Sequence, residues 1–145
     1  MKKILGIGNA LVDVLYFLEN DLLLDAFSLP KGSMQLVNAE TAAMVEKAAG
    51  RLNKFMASGG SAANTIHGLA RLGMPSAFIG TVGKDDFGRF FKDDMTACGI
   101  TPLLSHGKAD TGRAITLVSQ NGERTFATYL GAAVEIPSSA ENKIN

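Results

Sequence analysis

The segment Gly59-Gly60-Ser61-Ala62-Ala63-Asn64 joins an extended run to a helical pattern, and it constrains the fold more than any other part of the chain. Before it, Lys54 to Ser58 predicts a strand. After it, apolar residues recur at i, i+4, i+7 and i+8, the spacing of one helix face: Ala62, Ile66, Leu69 and Ala70. Gly73 is typical of the C-terminal end of such a helix. The junction therefore predicts backbone N–H groups presented at the positive end of a helix dipole, either as a ligand site or as a turn that only starts the helix.

Strand and helix patterns alternate along the chain as far as Gly83. Lys3 to Gly8 predicts a first strand, and Asn38 predicts the N-cap of a helix that ends at Gly50. This alternation predicts an α/β fold, a parallel sheet flanked by helices. Four further extended runs are predicted at 12–18, 33–37, 113–119 and 124–130, the last two joined as a hairpin by a turn containing Asn-Gly. The polar tail from residue 137 predicts a frayed end.

Composition narrows the class of protein. Of 145 residues, 46% are hydrophobic and 19% charged, which excludes disorder as the default. Fourteen basic and fourteen acidic residues balance, so neither nucleic acid nor an anionic membrane is indicated as a partner. The single Cys98 excludes an intramolecular disulfide and favours a reducing, cytoplasmic location. Cys98 follows Phe87, Phe91 and Met95 at helical spacing, which predicts a core thiol.

Five ordered segments together resemble a known family. They are Ile7 to Asp13 (IGNALVD), Lys31 to Met34 (KGSM), the Gly59–Asn64 junction, Gly80 to Gly88 (GTVGKDDFG), and the later Thr111-Gly112 with Gly122 to Thr125. The junction resembles the first signature of the ribokinase-like (PfkB) carbohydrate and nucleoside kinases. The other segments resemble that family's opening strand with its sugar-binding Asp, the entry to its lid, its Val-Gly-x-Asp-x-x-Gly turn and its later strands. The opening motif is most similar to adenosine kinase-like members.

The resemblance implies a fold and an activity. It implies a Rossmann-like parallel sheet flanked by helices, with a small β-strand lid near 12–18, 33–37 and 113–131. Residues 1–145 would form the N-terminal, substrate-side part of one kinase domain. The implied reaction is ATP-dependent phosphorylation of a sugar or nucleoside hydroxyl, with ATP and Mg²⁺ as cofactors and a monovalent cation left open. The family's general base lies in a Gly-Ala-Gly-Asp turn, which does not occur between Met1 and Asn145. No catalytic residue is therefore expected in this chain.

The resemblance also implies substrate-binding residues, and each has an alternative. The Asp13 carboxylate could accept hydrogen bonds from two vicinal hydroxyls, or it could be an exposed turn residue or a cap. Asn64 can donate and accept at once, which suits a sugar hydroxyl; the alternative is a place on the polar face of its helix. Gly59 and Gly60 would let a ligand approach the backbone closely. Because ligands bind at the carboxyl ends of strands in open parallel sheets, these residues are predicted at that edge.

Two apolar residues, Leu11 and Met34, are candidates for substrate contacts by analogy with the family's lid. An ordinary core or sheet-packing role is an equal alternative for both. The lid would exclude water on closure, and it is also a possible homodimer contact by the same resemblance.

Other motifs favour structural roles. Gly6 to Leu11 begins like a dinucleotide fingerprint, but Leu11 stands where the third glycine belongs, and no Walker-type loop occurs. The pairs Asp85-Asp86 and Asp93-Asp94 predict capping and a solvated helix face. His67 and His106 have no ligand or triad partner near them in sequence. Lys108 and Arg113 could approach a phosphate in the closed enzyme, but they are predicted to be surface charges. Two other functional classes stay open: a non-catalytic sugar- or nucleoside-binding module, and an inactive fragment.

Overall fold

The computed structural model describes residues 2–144, and in them strands and helices alternate through most of the chain. The strands are β1 (Ile4–Ile7), β2 (Leu11–Phe17), β3 (Met34–Leu36), β4 (Lys54–Gly59), β5 (Ser76–Val82), β6 (Ile100–His106), β7 (Gly112–Val118) and β8 (Arg124–Tyr129). The α-helices are α1 (Leu22–Ala26), α2 (Ala39–Ala49), α3 (Ser61–Arg71) and α4 (Asp86–Ala97). Two 3₁₀ helices follow, Gly131–Val134 and Ser138–Lys143. The predicted α/β class is confirmed.

The chain divides into two compact units. The first contains the described residues of Met1–Val12, Ala57–Gly112 and Leu130–Asn145, and the second contains Asp13–Met56 and Arg113–Tyr129. The first unit is built on a parallel three-stranded sheet of order β1-β5-β6, with Ile4 opposite Ser76 and Ser76 opposite Ile100. Most of a five-stranded sheet of order β3-β8-β7-β2-β4 belongs to the second unit, in which β7 and β8 form the predicted antiparallel hairpin.

The first unit buries an apolar core between its sheet and its helices. The rings of Phe78 on β5 and Phe91 on α4 lie 5.7 Å apart, and both side chains are fully buried. A Cβ at Gly6 on β1 would lie 2.4 Å from Cγ1 of Ile66, and one at Gly8, just after β1, would lie 2.8 Å from Cβ of Ala62. The two glycines at the start of the chain thus let α3 pack closely on β1, which explains their spacing without a dinucleotide.

Local signals set the helix ends where the sequence predicts them. The Asn38 side chain accepts from Thr41 N at 2.8 Å, and Asp85 accepts from Gly88 N at 2.8 Å, so both are N-caps. At the end of α3, Gly73 has φ +81° and its N–H donates to the carbonyl of Ala70 at 2.9 Å. Met74 N donates to Leu69 O, completing a Schellman motif.

Several predictions about local structure were wrong. Cys98 is exposed, because α4 ends at Ala97 and the thiol lies at the C-cap, beyond the last buried residue of the stripe, Met95. The tail is not frayed over 138–143, where a 3₁₀ helix lets Lys143 Nζ donate to Leu104 O at 2.7 Å. The strand β6 and the short helix α1 were not predicted.

The second unit contains a buried ion pair in place of a predicted surface charge. Arg113 on β7 is only 6% exposed; its Nε donates to Oε1 of Glu46 on α2 at 2.7 Å. Its guanidinium carbon lies 5.2 Å from the centre of the Tyr129 ring. Burial and the Glu46 carboxylate raise the pKa of the neighbouring Tyr16 phenol, while Arg113 opposes them. Arg113 therefore stabilises the packing of α2 on this sheet.

Candidate functional site

The turn between β4 and α3 combines an open helix N-terminus with a tightly packed glycine. Gly60 is the N-cap of α3, with φ +101° and ψ 147°, and among residues 2–144 no side chain caps this end of the helix. A Cβ at Gly60 would lie 2.4 Å from the carbonyl oxygen of Asn9, within the same unit. Glycine is needed here for two reasons, its backbone conformation and the approach of Asn9. The N–H groups of the first turn of α3 are thus left for a ligand or for water.

Asn64 lies one turn into α3, on the same unit as the turn. Its N–H donates to Gly60 O at 2.8 Å, the first hydrogen bond of the helix. The residue is exposed, and within residues 2–144 its side-chain amide makes no hydrogen bond. Gly59 is buried, whereas Gly60 is half-buried. The structure thus brings Gly59, Gly60 and Asn64 together with Asn9, a neighbour that the sequence pattern did not indicate.

Asp13 belongs to the second unit, on β2. It is half-buried, and across residues 2–144 its carboxylate has no hydrogen-bond or ion-pair partner. Burial raises the pKa of this carboxyl above its ordinary value of 3.8. A partly desolvated carboxylate without a partner costs folding free energy, and such groups concentrate at functional sites. It is neither a helix cap nor a fully exposed turn residue, the two alternatives considered from the sequence.

The two apolar candidates differ in exposure. Leu11, in the first unit, is 9% exposed and packs against the backbone, since a Cβ at Gly112 would lie 2.5 Å from its Cδ2. Met34, in the second unit, is 59% exposed on the edge strand β3, opposite Phe126 of β8. Met34 is therefore free to contact another molecule, whereas the surroundings of Leu11 favour a packing role.

The Val-Gly-x-Asp-x-x-Gly segment makes a structural connection inside the first unit. Asp85 accepts from Thr111 N at 2.8 Å and from Thr111 Oγ1 at 2.6 Å, besides capping α4. Gly83 N in turn donates to Thr111 Oγ1 at 2.9 Å. Asp85 thus ties the start of α4 to the residue that precedes β7, a link over 26 positions that spacing alone could not predict.

A second feature of the first unit was missed altogether by the sequence analysis. Ser58 Oγ lies 2.6 Å from Oδ2 of Asp94 and 2.7 Å from Nε2 of His67. Asp94 was predicted on a solvated helix face, which is wrong, because it reaches Ser58 from α4. Burial lowers the pKa of His67; Asp94 opposes this effect and Arg71 adds to it. Sequence separations of 9 and 36 positions explain why no local pattern revealed the cluster.

A cavity of about 360 Å³ lies elsewhere in the first unit, at the ends of β5 and β6 and the start of α4. None of the six predicted binding residues lines it. Its wall contains Val82, Gly83, Lys84, Asp85, Gly88, Arg89, Lys92, Pro102, Leu104 and His106.

Within 2–144, no group of three or more His, Cys, Asp and Glu side chains is placed to hold a metal ion. In the same residues, no helix is long and apolar enough to cross a membrane.

Comparisons with known proteins agree on one family. A family model described as "pfkB family carbohydrate kinase" matches residues 35–143. Fructokinase-2 of Oryza sativa subsp. japonica is 33% identical over 82 residues, which are 55% of this chain and 24% of that protein.

Solved structures match over nearly the whole chain. The adenosine kinase from Sinorhizobium meliloti is 38% identical, with a TM-score of 0.78, over 92% of this chain and 40% of that one. A probable sugar kinase from Rhizobium etli CFN 42 is 35% identical, with a TM-score of 0.80, over 95% of this chain and 43% of that one. The chain thus corresponds to a quarter to two fifths of the length of these relatives.

Proposed function

The chain belongs to the pfkB family of carbohydrate kinases, and we propose that the protein containing it transfers the γ-phosphoryl group of ATP to a hydroxyl of a sugar or nucleoside. This chain supplies substrate-binding residues, and the Gly-Ala-Gly-Asp turn that would carry the general base does not occur among its 145 residues. The relatives include fructokinases and adenosine kinases, so both substrate classes are candidates. The opening motif, IGNALVD, favours a nucleoside.

The half-buried, unpartnered carboxylate of Asp13 is the observation that carries this proposal. Among the described residues it has no cation and no donor, and burial raises its pKa. A ligand with two adjacent hydroxyl groups would supply the missing donors, and hydrogen bonds to an ionised acceptor are the stronger kind. We propose that Asp13 binds two vicinal hydroxyls of the substrate.

The turn at Gly59 and Gly60 supports binding through the backbone. Its uncapped N–H groups can donate to hydroxyl oxygens, and the Asn64 side chain can donate and accept. Such contacts orient the acceptor hydroxyl and lower the entropic cost of reaching the transition state. We propose that these three residues position the substrate and that they take no part in proton transfer.

The proposal also covers the two apolar candidates, Leu11 and Met34, and the cofactors. The exposure of Met34 supports an apolar contact with the substrate. Leu11 is buried and packs on Gly112, which supports a packing role for it. ATP is the proposed donor. Mg²⁺ is the proposed metal cofactor, and a monovalent cation is a further candidate.

A homodimer through the lid strands is proposed as the assembly. The edge strand β3 exposes Met34 and Leu36, two residues apart and so on one face of the strand. The variant Leu36→Lys should shift a dimer toward monomer in light scattering, whereas Leu72→Lys, on a still more exposed leucine of the first unit, should not. We also propose a cytoplasmic location, consistent with a single cysteine.

A binding module without catalysis is the second candidate. The half-buried Asp13 carboxylate and the glycine turn before α3 support it as well, since neither feature requires a phosphoryl donor. Such a module would bind a sugar or nucleoside without consuming ATP.

The decisive experiment is an ATP-consumption assay of the full-length protein over a panel of sugars and nucleosides. Turnover on one acceptor is expected, with loss of about 10²-fold or more in kcat/KM for Asp13→Asn. The matched control is Asp25→Asn, which removes an exposed carboxylate of the same unit. Absence of turnover on every acceptor would refute the kinase, and calorimetric binding of an acceptor without turnover would then support the binding module.

A further inference from the structure

Ser58 lies immediately before the two glycines of the β4–α3 turn, and it is almost fully buried, with 4% of its surface exposed. Its backbone N–H donates to Oδ2 of Asp94 at 2.8 Å, and its hydroxyl reaches the same oxygen at 2.6 Å. The hydroxyl oxygen also lies 2.7 Å from Nε2 of His67. One residue of β4 is thus held at once from α4 and from α3.

The proton positions follow from the chemistry of the three groups. An ionised carboxylate only accepts hydrogen bonds, so both the N–H and the O–H of Ser58 donate to Asp94. The serine has a single hydroxyl proton, and that proton is used. His67 must therefore donate from Nε2 to Ser58 Oγ, which assigns the Nε2–H tautomer to the neutral ring.

This order of groups excludes a nucleophilic triad. In such a triad the histidine accepts the serine proton and the carboxylate orients the histidine. Here the carboxylate bonds the serine directly, the histidine donates, and the hydroxyl is buried. The cluster can hold the backbone, but it cannot activate Ser58.

The turn that follows needs external support. Two successive glycines restrict their own backbone less than any other residues would. The Gly60 conformation, with φ +101°, is one that the turn must keep for the helix to begin at Ser61. The charge-assisted bonds to Asp94 are the strong kind, and they act on the residue next to Gly59.

We infer that Ser58, held by Asp94 and His67, is a positioning residue that fixes the Gly59–Gly60 turn for substrate binding. The part of this inference that concerns substrate rests on the proposed function; the part that concerns the turn does not. Ser58 touches no substrate in this account and acts only through the backbone.

The test compares Ser58→Ala with Ser76→Ala in the full-length protein. Ser76 is an equally buried serine of the same unit, 2% exposed, whose hydroxyl donates to Met74 O at 2.8 Å, away from the turn. The first readout is the hydrogen-exchange rate of the backbone N–H of Asn64, which donates to Gly60 O across the turn. The second is the pair of constants KM and kcat for the acceptor found in the ATP-consumption assay.

For Ser58→Ala we expect Asn64 exchange to accelerate about tenfold, the factor that corresponds to one charge-assisted hydrogen bond. KM should rise about fivefold to tenfold, with kcat changed less than twofold, because uniform binding is lost. Ser76→Ala should change neither quantity. Asn64 exchange within twofold of the unmodified protein would overturn the inference, whatever KM does. Faster exchange with an unchanged KM would overturn its substrate part.

A second pair of variants decides the matter if Ser58→Ala does not fold. His67 is only half-buried, so His67→Gln and His67→Leu should both fold. Glutamine can still donate to Ser58 Oγ and should keep Asn64 exchange near that of the unmodified protein, whereas leucine should accelerate it. Equal exchange in the two variants would overturn the role of His67. If the unmodified protein phosphorylates no acceptor, the proposed function fails, and exchange alone still decides whether Ser58 fixes the turn.

Discussion

Replacing Gly60 with alanine should destabilise the protein more than the same change at any other glycine of α3 or its ends. Gly60 has φ +101° and ψ 147°, a backbone conformation that is almost confined to glycine. The added Cβ would also lie 2.4 Å from the backbone oxygen of Asn9, a group that cannot rotate away. The added methyl group therefore destabilises the folded state in two separate ways.

The magnitude follows from these two terms. The strained conformation costs about 1–3 kcal/mol, and displacing a packed backbone atom costs about 1–3 kcal/mol. The lower entropy of the unfolded alanine chain returns about 0.4–1 kcal/mol. We expect the free energy of unfolding to fall by about 2–4 kcal/mol in all, taking the middle of these ranges.

Two other glycines, one inside α3 and one just after it, distinguish the conformational cost from the steric cost. Gly73 has φ +81° but no atom within 4 Å of its Cβ position, so Gly73→Ala should cost only about 1 kcal/mol. Gly68 lies inside α3 with an ordinary φ and open space, so Gly68→Ala should stabilise by about 0.5–1 kcal/mol. Urea unfolding measures all three. If Gly60→Ala costs no more than Gly73→Ala, the close approach of Asn9 is refuted.

Three further predictions concern charged groups. Because burial raises the pKa of Asp13, stability is lost as pH rises through its titration, so Asp13→Asn should raise the melting temperature at pH 7; an unchanged or lower value contradicts this. For His67 the pH dependence is reversed: because its pKa is lowered from 6.5, the protein loses stability as the pH drops below about 6.5. His67→Gln should therefore make the free energy of unfolding in urea depend less on pH between pH 8 and pH 5. Arg113→Ala strands Glu46 and should cost about 3–5 kcal/mol, which the double variant with methionine at both positions should largely recover in urea unfolding.

Much of the architecture could be predicted from local patterns. The β4–glycine–α3 junction, the cap at Asp85, the Schellman end at Gly73 and the hairpin between β7 and β8 each depend on residues within a few positions of one another. Such elements are determined by backbone sterics and by short-range hydrogen bonds, which the order of residues specifies directly. The family could be inferred because five ordered segments of the sequence resemble its motifs.

Those local patterns could not predict contacts between residues far apart in the sequence. The ion pair of Arg113 with Glu46 joins positions 67 apart, and the contact of Ser58 with Asp94 joins positions 36 apart. Helical periodicity placed Cys98 in the core, but it could not show that α4 ends one residue earlier. For the candidate site, residue type and position in the sequence predicted Asp13, Gly59, Gly60 and Asn64, but they could not predict which groups surround them.

By itself, then, the sequence determined the α/β alternation, the helix ends and the glycine turn, because each follows from local conformational preference. Only the tertiary structure decided which charges are buried and paired, since desolvation and contact depend on chain segments that meet after folding. In the described part of the chain it left the Asp13 carboxylate without a partner, and it enclosed Ser58 between Asp94 and His67. The sequence shows only that a carboxylate is present. Whether it caps a helix, holds a turn or is free to bind a ligand depends on the groups that surround it after folding.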